Sequence, residues 1–278
     1  MHPPAFPATL RAMSSTDTFQ ISLETAEAYE AAFVPALFAH LAPHLIDGAE
    51  VTAGDRVLDV ACGTGIVART AADRTGPTGL VVGLDLNEAM LTVARRVRPD
   101  LDWRQGDATS LPFPDASFDV ALCQSGLMFV QDPAVAVNEL ARVVRPGGRV
   151  AAQVWSSLDR QTAIHPLADA VARHAGPDAV DLISTYFRLG NRAQLTGLFP
   201  QAGLRVIDVR TLPATVRAPT VDDYITTEIE STPLIDRISD DIYRRIRAEA
   251  RGGLARFCDE NGRLALPLEA YLVAARRE

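Results

Sequence analysis

The sequence predicts an α/β fold whose centre is a doubly wound, mostly parallel β-sheet. Between residues 56 and 155, short runs of aliphatic and β-branched residues alternate with amphipathic helical patterns. The first of these runs ends in a glycine-rich turn that opens directly into a helix. Parallel strands are joined by crossover connections, usually helices, and such βαβ units are right-handed. The alternation therefore predicts a parallel sheet with helices packed on its faces.

Local signals bound each element of this sheet. The predicted strands cover residues 56–60, 79–84, 101–104, 118–123 and 149–155. Helices are predicted over 66–72 and 87–97, and a third begins at Pro133 with Asp132 as its N-cap. The sequence RPGG at 145–148 is expected to end that third helix.

Helical segments are predicted on both sides of the five-strand region. Apolar residues recur every four positions across 23–46, where Pro35 and Pro43 are expected to break the helix into pieces. Beyond residue 155, the sequence has helical patterns and two further strand patterns, which we interpret as a cap and an extension of the same sheet. The helical patterns cover 158–190, 191–199 and 220–251, and the strands cover 203–216 and 267–276.

We expect a single domain over residues 19–278, preceded by a flexible arm at 1–18. The core of this domain covers about 50–155. The cap insertions cover about 156–190 and 217–263, and connecting segments of this kind carry substrate choice in many enzymes.

Composition excludes several classes of protein. All 27 basic residues are arginine, so the chain has no lysine for a Walker A motif, a Schiff base or a protein-kinase strand. The net charge of −8 argues against nucleic acid as a partner. No apolar run reaches transmembrane length, and the N-terminus lacks the apolar core of a signal peptide. Three widely spaced cysteines, without a histidine motif for metal, predict reduced thiols, a cytoplasmic location and no bound metal.

Two motifs predict a nucleotide-like ligand. The turn after the first strand contains Gly63-x-Gly65-x-x-Ala68, which matches the dinucleotide fingerprint. Asp85 ends the second strand, where a carboxylate can accept hydrogen bonds from ribose hydroxyls. Both features fit NAD or an adenosyl ligand. The alternatives are a tight turn without a ligand, and Asp85 acting as a helix N-cap.

Two further acidic residues help to distinguish between NAD and an adenosyl ligand. Asp59 lies inside the first strand, where a carboxylate is unfavourable beside a pyrophosphate and favourable beside a sulfonium amino acid. Asp107, in Gly106-Asp107-Ala108 after the third strand, can accept from an adenine amine and has no standard role in the NAD fingerprint. An NAD-dependent short-chain dehydrogenase is also disfavoured because its Tyr-x-x-x-Lys motif needs a lysine.

Four motifs occur in order across residues 55–155: VLDVACGTG, VVGLDLNEAML, GDATSLPFPDASFDVAL and ELARVVRPGGRV. Together they resemble class I S-adenosylmethionine-dependent methyltransferases, and most of all the small-molecule branch similar to the ubiquinone and menaquinone biosynthesis enzymes. The resemblance implies a Rossmann-like, seven-stranded sheet with an antiparallel last strand. It also implies S-adenosylmethionine as cofactor, S-adenosylhomocysteine as product, and no metal.

The resemblance assigns cofactor contacts residue by residue. Alanine at position 61 is a departure, because the family often has glycine there. Tyr29 matches a position on an N-terminal helix that closes over the cofactor, although a plain helix-face aromatic remains the alternative. The expected cofactor-binding residues are Tyr29, Asp59, Ala61, Cys62, Gly63, Thr64, Gly65, Asp85, Leu86, Met90, Gly106, Asp107, Ala108, Gln124 and Ser125.

No diagnostic catalytic base is visible in the sequence. Methyl transfer from a sulfonium relies mainly on alignment and desolvation, so a base is needed only when the acceptor must lose a proton. Many relatives carry a histidine in the segment at 123–129, and this chain has none there. The remaining candidates for a base are His165, Tyr29, Tyr224 and Cys123.

We expect methyl transfer to the oxygen or carbon of a small, lipophilic acceptor, because the predicted cap carries apolar helix faces. The alternative is a protein that binds S-adenosylmethionine or S-adenosylhomocysteine for a non-methylating role, such as a cyclisation or a regulatory function. A homodimer is compatible with the apolar stretch at 33–41. The sequence does not identify the acceptor.

Overall fold

A computed structural model describes residues 21–230 and 234–278 of the chain. The arm expected at 1–18 lies outside the described residues. One seven-stranded sheet forms the centre, with the strand order β3-β2-β1-β4-β5-β7-β6. The strands are β1 (Arg56–Val60), β2 (Leu80–Asp85), β3 (Asp102–Gln105), β4 (Phe118–Gln124), β5 (Val144–Trp155), β6 (Leu204–Ala218) and β7 (Leu264–Arg277).

Helices cover both faces of the sheet and its carboxyl edge. The α-helices are α1 (Leu23–Ala28), α2 (Ala39–Gly48), α3 (Ile66–Thr75), α4 (Glu88–Val97), α5 (Pro133–Val143), α6 (His165–Ala175), α7 (Val180–Ile183), α8 (Arg192–Gln201), α9 (Val221–Glu230) and α10 (Asp240–Leu254). A π-helical segment (Tyr29–Phe38) joins α1 to α2. Short 3₁₀ turns lie at Gly76–Thr78, Leu127–Phe129, Leu158–Arg160, Pro177–Ala179, Thr185–Phe187, Ile235–Arg237 and Ala255–Phe257.

Strand directions confirm the predicted sheet. The pairs β1–β2, β1–β4, β2–β3 and β4–β5 are parallel. Only β7 runs against the others, pairing antiparallel with both β5 and β6. The chain moves outward from β1 to β3 and then returns to β4 on the other side of β1. The strand order therefore reverses between β1 and β4, and ligands of open α/β sheets bind at the carboxyl edge of such a point.

Local sequence explains most element boundaries. The side chain of Asn87 accepts from the backbone N–H groups at the start of α4, and the side chain of Asp132 does the same for α5. Central strands are apolar on both faces because helices cover both faces. Leu58 of β1 and Leu122 of β4 are fully buried.

Two expectations about boundaries were wrong. Pro35 and Pro43 do not break the N-terminal segment, because Pro35 lies inside the π-helical turn and Pro43 inside α2. Wider i→i+5 turns accommodate residues that lack an N–H donor. Helix α5 ends at Val143, directly before the RPGG sequence at 145–148, as predicted. The predicted start of β5 at residue 149 was too late, because β5 begins at Val144 and RPGG forms an irregular stretch within it, where the register with β4 shifts.

The second half of the chain builds a cap on the carboxyl edge of the sheet. Strand β6 is parallel to β5, because both run against β7. Strand β5 ends where Trp155 pairs with Ala270, whereas β6 and β7 continue to pair through 213–218 and 264–269. Helices α9 and α10 connect the ends of these extended strands. The segments that follow β5 and β6 therefore both begin at the carboxyl edge of the sheet.

Candidate functional site

The turn after β1 contains three residues with left-handed backbone, a conformation that residues other than glycine rarely adopt. Ala61, Gly63 and Gly65 have φ values of +55°, +55° and +92°. Left-handed backbone is ordinary for glycine and strained for alanine, at roughly 1 kcal/mol. The N–H of Cys62 donates to Leu84 O at 3.0 Å, which ties the turn to β2. This hydrogen bond places the backbone of the turn beside the end of β2.

Asp85 connects this turn to the loop that follows β2. Its Oδ2 accepts from Gly63 N at 2.7 Å, and its Oδ1 accepts from Asn87 N at 2.8 Å. Asn87, and not Asp85, caps α4 through its own side chain. Each oxygen of an ionised carboxylate can accept a second hydrogen bond. Asp85 therefore positions the turn and keeps acceptor capacity for hydroxyl groups.

Trp103 of β3 packs underneath the turn. A Cβ added at Gly65 would lie 2.2 Å from the Trp103 ring, and one at Gly83 would lie 2.4 Å from it. The indole N–H donates to Arg98 O at 2.8 Å, which fixes the ring. Glycine at both positions lets the indole approach the backbone.

Asp59 is a buried carboxyl with an unused oxygen. Its side chain is 1% exposed, and its Oδ2 accepts from Ala68 N at 2.9 Å, in the first turn of α3. Its Oδ1 has no hydrogen-bond partner among the described residues. Burial raises the pKa of this carboxyl to about 8. A cation beside Asp59 would therefore restore the ionised form.

Four more buried polar atoms have no partner among the described residues: Glu30 Oε2 and Thr64 Oγ1 at the turn, and Gln124 Nε2 and Gln153 Nε2 on β4 and β5. Unsatisfied buried groups cost about 1–3 kcal/mol each and are uncommon in folded proteins. Their positions from the turn to β5 fit polar groups of bound ligands.

The N-terminal segment lies over the turn. A Cβ added at Gly63 would be 3.9 Å from Tyr29 Cε1. Glu30 forms an ion pair with Arg69 at 3.0 Å, and Arg69 also donates to Thr64 O at 3.3 Å. Burial has the largest effect on the pKa of Tyr29 and raises it above its usual value, and the negative charge of Asp85 raises it further. The hydroxyl of Tyr29 therefore stays protonated and is available as a hydrogen-bond donor.

The loops after β2 and β3 meet beside Asp85. Gly106 N donates to Asp85 O at 3.0 Å, and Gln105 Nε2 donates to Leu86 O at 3.1 Å. The Oδ1 of Asp107 accepts from both N and Oγ1 of Thr109 at 2.8 Å. Met90 lies in the first turn of α4, and Ala108 packs against the core. Gln124 and Ser125 follow at the end of β4.

Two of the candidate bases are poorly suited to that role. His165 Nε2 lies 3.0 Å from Leu158 O and lines a surface groove between α6 and α10, which none of the expected cofactor-binding residues lines. Cys123 is buried, and burial raises the pKa of its thiol to about 12, so it stays protonated. Burial also raises the pKa of Cys62.

The cap contains an acidic residue that the sequence reasoning missed. Tyr224 and the half-buried Glu228 are one turn apart on α9, beside the buried Val221, Ile225 and Ile229. Tyr224 OH has no hydrogen-bond partner among the described residues. Burial alone raises the pKa of Glu228 to about 7. The sequence did contain a signal for this residue, because Glu228 lies among the apolar residues that form one face of the predicted helix.

Replacing Glu228 with glutamine should stabilise the protein at alkaline pH. Because the folded state raises the pKa of this carboxyl, its charge destabilises the fold fully above about pH 7 and little near pH 4.5. We expect the gain in unfolding free energy to be about 2 kcal/mol larger at pH 8 than at pH 5. Urea denaturation at pH 5 and pH 8 measures this gain in unfolding free energy, and Glu260→Gln, at an exposed position, is the control. An equal gain at both pH values would contradict the burial of this charge.

Among the described residues, no group of three or more histidine, cysteine, aspartate or glutamate side chains is arranged to hold a metal ion. No helix in the described ranges is long and apolar enough to cross a membrane.

Comparison with known proteins supports the reading of this site. A family model described as a methyltransferase domain matches residues 58–152. The chain is 34% identical over 180 residues to a demethylmenaquinone methyltransferase of Beutenbergia cavernae, covering 60% of this chain and 72% of that protein. It is 44% identical over 113 residues to the enzyme of that name from Renibacterium salmoninarum, covering 40% of this chain and 46% of that protein.

The match with the Renibacterium protein thus spans less than half of that relative's length. Among solved structures, the YcgJ protein of Bacillus subtilis superimposes with a TM-score of 0.58 and 25% identity, covering 86% of this chain and 99% of that one. The turn at 61–65 and the acidic residues Asp59, Asp85 and Asp107 all lie inside the residues that the family model matches. The chain therefore belongs to the class I S-adenosylmethionine-dependent methyltransferase family, in the branch of the ubiquinone and menaquinone biosynthesis methyltransferases.

Proposed function

We propose that the protein binds S-adenosylmethionine at the turn after β1 and transfers its methyl group to a small, lipophilic acceptor. The observation that carries this proposal is Asp59, a buried carboxyl with an unused oxygen beside a glycine turn. A dinucleotide would bring pyrophosphate to this place, which a carboxylate repels. An adenosyl amino acid would bring an ammonium and a sulfonium, which a carboxylate attracts.

The residues at the carboxyl edge fit the parts of such a cofactor. Asp85 would accept from the ribose hydroxyls, and Asp107 and Ala108 would contact the adenine. Asp59 and the turn at 61–65 would hold the methionine part. When bound, the cofactor supplies an electrophilic methyl group on sulfur, and S-adenosylhomocysteine remains as product.

The chain itself would supply alignment and exclusion of water. Aromatic rings lead from the turn towards β5: Tyr29 lies 5.4 Å from Phe38, and Phe38 lies 6.4 Å from Trp155, centroid to centroid. Phe129 and Tyr186 form a second pair at 5.5 Å. Such rings favour a flat, apolar acceptor.

Quinone-type compounds are the acceptor class that we favour. Relatives of this chain include proteins named demethylmenaquinone methyltransferase and 2-phytyl-1,4-naphtoquinone methyltransferase. Methylation would occur on oxygen or carbon, without a metal. The net charge of −8 makes nucleic acid an unsuitable acceptor.

Calorimetric titration with S-adenosylhomocysteine, with NADH as control, tests the cofactor. We expect micromolar affinity for the first and none for the second. Mass spectrometry of reduced naphthoquinones and simple phenols, incubated with protein and cofactor, then tests transfer. Binding of NADH would overturn the cofactor assignment. Cofactor binding without methyl transfer to any acceptor would favour the non-methylating role.

The adenine contact of Asp107 can be tested separately. Asp107→Ala should weaken S-adenosylhomocysteine binding by about 1.5–3 kcal/mol, or roughly 10- to 150-fold, because a hydrogen bond to a charged acceptor is lost. Asp102→Ala, at the opposite end of β3, is the matched control. Equal affinities of Asp107→Ala and the wild type would refute the adenine assignment.

Cofactor binding should release a proton near neutral pH. Burial holds Asp59 largely protonated below about pH 8, and a cationic ligand favours its ionised form. Affinity should therefore rise up to about tenfold per pH unit between pH 6 and 8. Calorimetry in buffers of different ionisation enthalpy should give buffer-dependent binding enthalpies. Asp59→Asn should remove this dependence, and its persistence in that variant would show that another group releases the proton.

A further inference from the structure

Two glutamine side chains lie next to each other at the carboxyl edge of the sheet, and the sequence reasoning singled out only one of them. Gln124 is the last residue of β4 and pairs in register with Gln153 of β5. Paired residues of neighbouring strands point to the same face. Gln124 is 8% exposed and Gln153 is completely buried. The Nε2 atoms of both lack a hydrogen-bond partner among the described residues.

Neighbouring contacts orient the second carboxamide. Ser125 donates from Oγ to Gln153 Oε1 at 3.2 Å and from its backbone N to Gln153 O at 2.8 Å. Ser125 has a φ of +52°, a left-handed conformation that a non-glycine residue adopts under strain. The protein therefore keeps both a strained residue and two unsatisfied donors at this corner, which points to a ligand that uses them.

Another buried glutamine shows what a structural role looks like in this fold. Gln161 is 1% exposed, and its Nε2 donates to Ser156 O, Ser156 Oγ and Glu269 O at 2.7–3.1 Å. Its Oε1 accepts from Glu269 N at 3.0 Å. Every polar atom of Gln161 is used inside the protein, whereas the amino groups of Gln124 and Gln153 are not.

The chemistry of the pair defines the ligand group. Carboxamide N–H groups donate hydrogen bonds without a full positive charge, so they complement a carbonyl, phenolate, enolate or carboxylate oxygen. Strand register places Gln153 three strands away from Asp85, or roughly 14 Å at the usual spacing. Asp85 marks the ribose end of the proposed cofactor site. Gln153 lies at the opposite end, where Trp155 and Phe38 bring the aromatic rings to β5.

We propose that the side-chain amides of Gln124 and Gln153 form a two-donor pocket for an oxygen of the acceptor, and that the acceptor is a phenol or enol bound through its negatively charged oxygen. This inference rests on the proposed function and adds the chemical class of the acceptor. Stabilising the oxyanion raises the fraction of acceptor that is nucleophilic without a protein base. The two amides would therefore make a histidine base unnecessary in the segment at 123–129, where many relatives carry one and this chain has none.

The same donors could instead hold the carboxylate of the cofactor's amino acid, and the experiment separates these sources. Gln124→Met and Gln153→Met remove the donors at similar volume. The probe for the acceptor site is 4-nitrophenol, whose absorbance reports its ionisation, mixed with protein saturated with S-adenosylhomocysteine. The cofactor probes are S-adenosylhomocysteine and 5′-methylthioadenosine, which lacks the carboxylate.

We expect wild-type protein to shift 4-nitrophenol towards phenolate at a pH below its pKa in water, and each variant to lose this shift. We also expect affinity for S-adenosylhomocysteine to stay within threefold of wild type in Gln153→Met, because Gln153, unlike Gln124, is not among the expected cofactor-binding residues. A tenfold loss for that ligand, with unchanged affinity for 5′-methylthioadenosine, would assign the amides to the cofactor and overturn the proposal. Absence of the phenolate shift in the wild type would also overturn it.

Thermal unfolding of the same variants tests whether the amides are merely structural. Gln153→Met should melt close to the wild-type temperature, because it removes an unsatisfied buried donor together with the single side-chain hydrogen bond from Ser125 Oγ. Gln161→Met should melt well below the wild type, because it removes four hydrogen bonds. If Gln153→Met is destabilised as much as Gln161→Met, the amide is structural and the proposal fails. Failure of the wild type to bind S-adenosylhomocysteine would instead refute the proposed function.

Discussion

Replacing Gly65 with alanine should destabilise the protein by about 2–5 kcal/mol and abolish cofactor binding. Two effects add at this position. A φ of +92° is strained for any residue with a Cβ, and that Cβ would lie 2.2 Å from the ring of Trp103. The indole cannot retreat easily, because its N–H is hydrogen-bonded to Arg98 O and the ring also packs against Gly83. The turn that carries Gly63 and follows Asp59 would therefore be displaced.

Gly203→Ala provides the matched control for this experiment. Gly203 follows the end of α8 with a φ of +72°, and an added Cβ would meet nothing within 4 Å. Its substitution isolates the backbone strain, which we expect to cost about 1 kcal/mol. Urea denaturation measures both variants, and titration with S-adenosylhomocysteine measures binding. If both variants lose the same stability, the close packing of Trp103 against the turn has no energetic consequence. Trp103→Leu in the Gly65→Ala background should recover part of the loss.

Asp85→Asn should reduce affinity for S-adenosylhomocysteine by about 2–3 kcal/mol, roughly 30- to 150-fold. The variant loses the charge that would accept from the ribose hydroxyls. Its amide nitrogen also cannot accept from Gly63 N or from Asn87 N, so one bond that positions the turn is broken. We therefore expect an additional loss of unfolding free energy of about 1–2 kcal/mol.

Glu88→Gln is the control for Asp85→Asn, since Glu88 is an exposed acidic residue three positions further on. Calorimetry and denaturation of the two variants separate binding from stability. Affinity within threefold of wild type in Asp85→Asn would mean that this carboxylate serves the turn and not the cofactor. An equal loss of affinity in Glu88→Gln would mean that general electrostatics, and not a contact with Asp85, carries the effect.

Elements with strong local signals were predicted well. Strands β1, β2 and β4 are predominantly aliphatic. Asp132 caps α5, and the proline that follows it in the sequence indicated this helix start. The failures lie where tertiary pairing outweighs local preference. The RPGG sequence at 145–148 contains turn residues, but β4 pairs with Val144 before it and with Arg149 after it, which keeps it within the span of β5. Packing of the N-terminal segment likewise retains a helical path through Pro35.

The candidate site shows the same division. Glycines and acidic residues at strand ends form a pattern within a few residues of one another, so the turn at 61–65 and the positions of Asp59 and Asp85 were visible in the sequence. Whether an oxygen of Asp59 lacks a partner depends on how α3 packs against β1. Likewise, the burial of Glu228 depends on which face of α9 the cap covers.

The sequence by itself determined the parallel α/β architecture, the turn and its acidic neighbours, and the family to which they belong. These features follow from hydrophobic periodicity and from backbone conformations that only glycine adopts easily, and both are local properties. Only the tertiary structure decided that Trp103 lies beneath Gly65, that Tyr29 covers Gly63, and that Gln124 lies beside Gln153. Those contacts join residues far apart in the chain, and strand register and helix packing bring them together.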